Sequence, residues 1–140
     1  MIDFVYNTDF HLENHDGYSR WLTDVSLAEN FSINELVFLF VNDEELLSMN
    51  KKHLNHDYFT DVITFGELEG NKISGNIAIS IDRVIENSNK FGVSFDEELK
   101  RVMAHGLLHI MGYNDKTKKE KSIMTQKETK AIKMFHVKQT

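Results

Sequence analysis

The chain has 140 residues, 41% hydrophobic and 27% charged, with a formal net charge of −6, no cysteine and no proline. That length suits one compact domain over residues 1–140. The composition excludes a disordered chain, the absence of cysteine excludes disulfides, and no apolar run approaches the roughly 20 residues of a membrane span.

The opening Met-Ile-Asp-Phe-Val-Tyr carries neither a positive leader nor a small-residue cleavage site, so a cytoplasmic location is expected. Negative net charge argues at first against a nucleic-acid partner. The average hides a split, however. Residues 1–115 hold 8 Lys+Arg against 20 Asp+Glu, whereas residues 116–140 hold 8 Lys against only Glu120 and Glu128. The basic stretch is either a solvated helix face or an anion-binding one.

In chain order, Phe4–Tyr6 reads as a short strand, and Tyr18–Glu29 as a helix with Tyr18, Trp21, Leu22, Val25 and Ala28 on one face. Glu35–Val41 is too uniformly apolar for an exposed strand and is expected in the middle of a sheet. Asn42 or Asp43 can cap a helix that runs through Leu46, Leu47 and Met49. Asp61–Phe65 and Gly75–Ser80 are β-branched runs joined by a charged, glycine-containing loop, and are expected to be neighbouring strands. A helix over Asp82–Phe91 should end at Gly92.

Ser94-Phe95-Asp96-Glu97 has the form of a capping box, opening a helix whose Leu99, Val102, Met103, Leu107 and Ile110 form an apolar stripe and which ends near Gly112. A last helix should cover Lys118–Met134. These elements predict an α+β fold, a small mostly four-stranded sheet packed with about five helices and with the His105–His109 helix central.

His105 and His109 lie four residues apart within the capped helix, so both imidazoles project the same way and can chelate one ion. Gly112 allows a left-handed reversal that brings Asp115 back toward them. Two imidazoles and a carboxylate leave one position open, as in a catalytic zinc site holding one ion per chain. The bland readings are a surface histidine pair and an Asp115 that merely caps the following helix. His11, His15, His53, His56 and His136 lack comparable spacing and are read as surface or hydrogen-bonded histidines.

The spacing resembles that of the metzincin zinc peptidases, whose motif is H-E-x-x-H-x-x-G-x-x-H, but the position of their general-base glutamate is occupied by Gly106. Peptide hydrolysis would therefore need another base. A second resemblance is closer. His105-Gly106-Leu107-Leu108-His109-Ile110-Met111-Gly112-Tyr113-Asn114-Asp115 resembles the signature H-G-x-L-H-x-x-G-Y-D-H of the YbeY family. Thr60-Asp61-Val62-Ile63-Thr64-Phe65 is similar to the family's T-D-V-L-S-F, and Gly75-Asn76-Ile77-Ala78-Ile79-Ser80 to its G-D-I-x-I-S.

The resemblance implies a single-strand-specific, metal-dependent endoribonuclease acting in ribosomal RNA maturation, at the 16S rRNA 3′ end, and in ribosome quality control. RNA would be its partner, alongside ribosomal or ribosome-associated proteins. The family's third metal histidine falls on Asp115, still a competent zinc ligand. Asn114 stands where the family has aspartate, and the family arginine that contacts phosphate falls on Leu54, with His53 on the preceding tyrosine.

Leucine cannot neutralise a phosphate, so either another cation substitutes or activity is weaker. Arg101, one turn before His105, is the first candidate for a catalytic role, with an ion pair to Glu97 or Glu98 as its structural alternative; Lys116 is the second, and His53 and His56 are weaker ones. Lys116, Lys118, Lys119 and Lys121 are candidate RNA contacts, and Asp61 is a candidate support behind the ligands. The rival functions are a zinc metallopeptidase and a non-catalytic ribosome-assembly factor whose metal only holds the last helix.

Overall fold

The computed structural model describes residues 1–54 and 60–139, with side chains described for 1–52 and 60–135. Four strands and five helices occur among the described residues: β1 Ile2–Tyr6, α1 His15–Ala28, β2 Ser32–Val41, α2 Asp43–Leu54, β3 Val62–Glu69, β4 Lys72–Ser80, α3 Ile81–Phe91, α4 Phe95–Met111 and α5 Lys118–Gln139. The strands form one sheet in the order β1-β2-β4-β3. β2 runs parallel to both β1 and β4, and β3 closes the sheet antiparallel to β4. The expected α+β architecture is present, as are the interior position of β2 and the pairing of the two β-branched runs.

Alternation along β2 sends Leu36, Phe38 and Phe40 to one face, where they meet Ile73, Ile77 and Ile79 of β4. α1, α4 and α5 cover this face through Trp21 and Leu22, Met103 and Leu107, and Met124 and Phe135. The opposite face is partly covered by α2, with Leu46 against Val41, Ile63 and Ala78. α4 lies between the sheet and α5, so its buried surface extends beyond a single stripe to include Ala104, Gly106, Leu108 and Met111. The side that stays half-buried carries Arg101, His105 and His109, one helical turn apart.

Local signals account for most boundaries. The Asn42 side chain accepts the Glu45 N–H at 2.9 Å and caps α2, which leaves Asp43 free to accept from Ser80 Oγ at 2.8 Å and pair with Arg83 at 3.0 Å. Asn14 caps α1, which therefore starts three residues earlier than its apolar pattern suggests. The expected loop between β3 and β4 is mostly strand. Pairing continues to Glu69 and Lys72, and only Gly70 and Asn71 turn, with Gly70 at φ 64°. Its charges looked like loop because residues 66–69 and Lys72 are exposed, although Ile73 beside them is fully buried.

Candidate metal centre

α4 begins where the Ser94 hydroxyl accepts the Glu97 N–H at 3.1 Å. It ends in a Schellman closure: Gly112 adopts φ 109°, its N–H reaches His109 O at 3.0 Å, and the Tyr113 N–H reaches Leu108 O at 3.1 Å. The reversal carries the chain back over the helix end. The Tyr113 hydroxyl donates to Glu29 Oε1 at 2.5 Å, and Lys127 Nζ binds the same carboxylate at 2.9 Å, fixing the returning segment between α1 and α5.

Asp115 consequently meets both histidines. Its Oδ2 lies 3.3 Å from His105 Nε2 and 3.5 Å from His109 Nε2, and the three ligand atoms all lie within 4.8 Å of one another. For bonds of about 2.0–2.1 Å, a tetrahedron has donor–donor edges of about 3.3–3.4 Å. The two Asp115 edges are therefore of the size that one small divalent ion requires. All three sequence-predicted ligands are brought together, and the donor chemistry fits the ion. They border an open cleft of about 560 Å³ that Thr60, Asp61 and Thr64 also line.

Asp115 does not cap α5. Thr117 does: its hydroxyl accepts the Glu120 N–H at 3.0 Å, while Glu120 Oε1 accepts the Thr117 N–H at 2.9 Å. This is a capping box in Thr117-Lys118-Lys119-Glu120, visible in the sequence and overlooked there. It accounts for one of the two acids in the lysine-rich segment.

The other acid, Glu128, is a site residue that sequence reasoning missed. Only 6% exposed, it accepts from His105 Nδ1 at 2.6 Å and from Arg101 Nη1 at 3.2 Å. A carboxylate has no proton to give, so neutral His105 must carry its proton on Nδ1, leaving the Nε2 lone pair toward Asp115. Burial opposes charge on His105, but the hydrogen bond to Glu128 and the fields of Glu128, Asp115 and Asp61 outweigh it and hold the imidazole above its usual pKa. Asp61 borders the same cleft, its carboxyl raised chiefly by burial.

Arg101, the first candidate for the missing phosphate-binding cation, pairs with Glu128 and lies 3.9 Å from Glu98. Of the two expected structural partners, Glu97 and Glu98, it is Glu98 that lies close; Glu128 was not foreseen. Lys116, Lys118, Lys119 and Lys121 are exposed at the start of α5, directly after the ligand-bearing turn. His11 and His15 both pack against Tyr6, and His15 Nε2 lies 2.6 Å from the Tyr6 hydroxyl. The side chains of His53, Leu54, His56 and His136 lie outside the described residues.

Packing at Gly106 counts against the peptidase alternative. A Cβ there would lie 2.8 Å from Ile77 Cγ2 and 3.3 Å from Thr64 Oγ1, so this position faces the sheet and a glutamate has no room. Gly106→Ala would ordinarily stabilise a helix by up to about 1 kcal/mol. Here Ile77 is fully buried, and the overpacking should prevail, with a net loss of about 1–2 kcal/mol in denaturant unfolding. A gain in stability would show that β4 can give way.

The profile described as Endoribonuclease YbeY matches residues 7–136. Proteins named Endoribonuclease YbeY from Flavobacterium johnsoniae and Flavobacterium psychrophilum are 46% and 48% identical over 139 residues, covering 99% of this chain and 100% and 99% of their own. A third of that name from Bacteroides thetaiotaomicron is 40% identical over 116 residues, covering 83% of this chain and 85% of its own. The solution structure of a Thermotoga maritima protein superposes with a TM-score of 0.71 at 25% identity, covering 96% of this chain and 89% of that one. With His105, His109 and Asp115 gathered as described and the match extending almost end to end, the chain belongs to the YbeY endoribonuclease family.

Proposed function

We propose that this chain is a metal-dependent endoribonuclease that cleaves single-stranded RNA in ribosomal RNA maturation, with the 16S rRNA 3′ end as its target. The observation that carries the reading is the His105, His109 and Asp115 triad, spaced for one ion and open to a cleft. Two imidazoles and a carboxylate favour zinc, one per chain, with nickel or iron compatible. The chemistry such an ion supplies when bound is acidification of water toward a pKa of about 7 and offset of charge on phosphoryl oxygen.

The protein's own residues do the rest. His105 and His109 would bind through Nε2 and Asp115 through a carboxylate oxygen, and Asp61 places a further carboxyl on the cleft wall. Lys116, Lys118, Lys119 and Lys121 would attract the RNA backbone in place of the arginine the family carries at position 54. The same reading puts the chain in the cytoplasm beside ribosomal proteins; among the described residues no helix is long and apolar enough to cross a membrane.

Purified protein should contain one equivalent of divalent metal and cleave labelled single-stranded RNA, with chelator abolishing cleavage and added zinc restoring it. Metal without any metal-dependent cleavage would leave the assembly-factor reading standing instead. Replacing Lys116, Lys118, Lys119 and Lys121 by Gln should weaken RNA binding across sequences and reduce the salt slope by up to about 0.7 per lost phosphate contact. An unchanged slope would return those lysines to a solvated face.

A further inference from the structure

Glu128 is out of place in its helix. α5 begins in a lysine-rich stretch and is held by apolar packing of Met124, Ala131 and Phe135, by the Trp21 Nε1–H bond to Ala131 O at 2.7 Å, and by Lys127 on Glu29. None of these contacts requires a buried carboxylate, whose desolvation is costly unless it is paired. Both Glu128 oxygens are directed at α4, Oε2 at His105 and Oε1 at Arg101.

From this geometry we infer that Glu128 is a positioning residue: it fixes the tautomer and ring orientation of His105 so that Nε2 faces the ion, with Arg101 as its countercharge. The inference rests on the metal centre proposed above. A free neutral imidazole distributes its proton between both nitrogens, and the form with Nδ1 unprotonated aims its lone pair away from Asp115. The 2.6 Å bond to Glu128 selects the productive form before the ion arrives. Such outer partners of ligating histidines typically change metal affinity by about 10–100-fold.

Arg101 is thereby given a role other than phosphate contact. It lies against Glu98 and Glu128, so its charge is committed to those two carboxylates rather than to the cleft. Glu128 also makes the centre a joint product of two helices, with the ligands on α4 and the turn after it and their alignment supplied by α5.

The test is zinc affinity by chelator competition on the full chain, with the thermal midpoint of the metal-free protein measured in parallel. Glu128→Gln should bind zinc about 10–100-fold more weakly and alter the absorption spectrum of the cobalt-substituted protein. Trp21→Phe, which removes an α1–α5 hydrogen bond to Ala131, one turn beyond Glu128, without touching His105, should lower the midpoint while leaving zinc affinity within about threefold. Zinc affinity of Glu128→Gln within twofold of wild type overturns the role, as does an equal loss of affinity in Trp21→Phe, which would reduce Glu128 to a helix anchor. If Glu128→Gln does not fold, nitrogen NMR of the zinc-loaded wild type decides: a protonated Nδ1 on His105 supports the assignment, and zinc on Nδ1 overturns it. Wild type that binds no zinc at all would sink the metal centre itself, a distinct outcome from unaffected variants of a zinc-binding protein.

Discussion

Asp115→Ala should weaken zinc binding by roughly a hundredfold or more, because two remaining protein donors hold the ion poorly. Asp115→His should keep affinity within about tenfold, since an imidazole nitrogen also binds zinc at about 2.0–2.1 Å and Gly112 at φ 109° still reverses the chain. The metal-free proteins should all melt close together. α5 is capped by Thr117 and Glu120, so the loss of about 1 kcal/mol that follows removal of a helix cap should not appear in Asp115→Ala. Metal content after dialysis, competition titration and thermal melts separate the two roles. Full metal retention by the alanine variant would remove Asp115 from the centre, and a lowered midpoint with intact affinity would make it a structural residue after all.

The histidine variant carries one more unit of positive charge. Its site should attract phosphate better and favour an attacking hydroxide, so RNA cleavage should be preserved or raised. A variant that holds zinc yet cleaves more slowly would show that the carboxylate contributes beyond ligation.

Glu98→Gln should make the metal-free protein more stable at pH 8 and leave it nearly unchanged at pH 4.5. Burial at 3% exposure raises the Glu98 carboxyl from 4.5 to about 7, with Arg101 opposing and Asp61, Glu128 and Glu97 adding to the rise. A carboxyl whose folded pKa lies above its unfolded value favours the native state only while protonated. Its contribution is intact below pH 4.5 and is lost as pH rises through about 7. Glutamine mimics the protonated form at every pH. At about 1.4 kcal/mol per unit, the variant should gain about 2–3 kcal/mol over wild type between those two pH values. Chemical denaturation of both proteins in chelator at pH 4.5 and 8 measures it, and parallel pH profiles would show that Glu98 ionises freely in the fold.

What could be read from the sequence follows how local each cause is. Ser94 and Gly112 announce both ends of α4 within a few residues, and the same glycine predicts the return of Asp115, so the clustering of the three candidate ligands was legible without any knowledge of packing. β2 was legible because a strand apolar on both faces has few places to go. Glu128 was not, because its partner lies 23 residues away on another helix and nothing in its own neighbourhood distinguishes it from a solvated glutamate. Arg101 shows the boundary within one residue: its helical face and its pairing with Glu98 follow from spacing, while its pairing with Glu128 needs the docking of α5. The β3–β4 tip was misread because its charges and Gly70 resemble a loop, while the pairing that orders it joins residues mostly exposed to solvent.

The parallel placement of β2 between β1 and β4 also bears on how the chain reaches this structure. Leu36 pairs with Ile2 on one side and Gly75 on the other, so both neighbours must be recruited across long intervening segments, and that closure entropy is lost before any sheet contact compensates it. Meanwhile α4 and α5 lie next to each other in sequence and can pack early. The chain has no proline whose isomerisation could delay it and no cysteine to shuffle. Its folding clock is therefore set by topology, by the search that threads β2 into the middle of a sheet whose helical cover is already at hand.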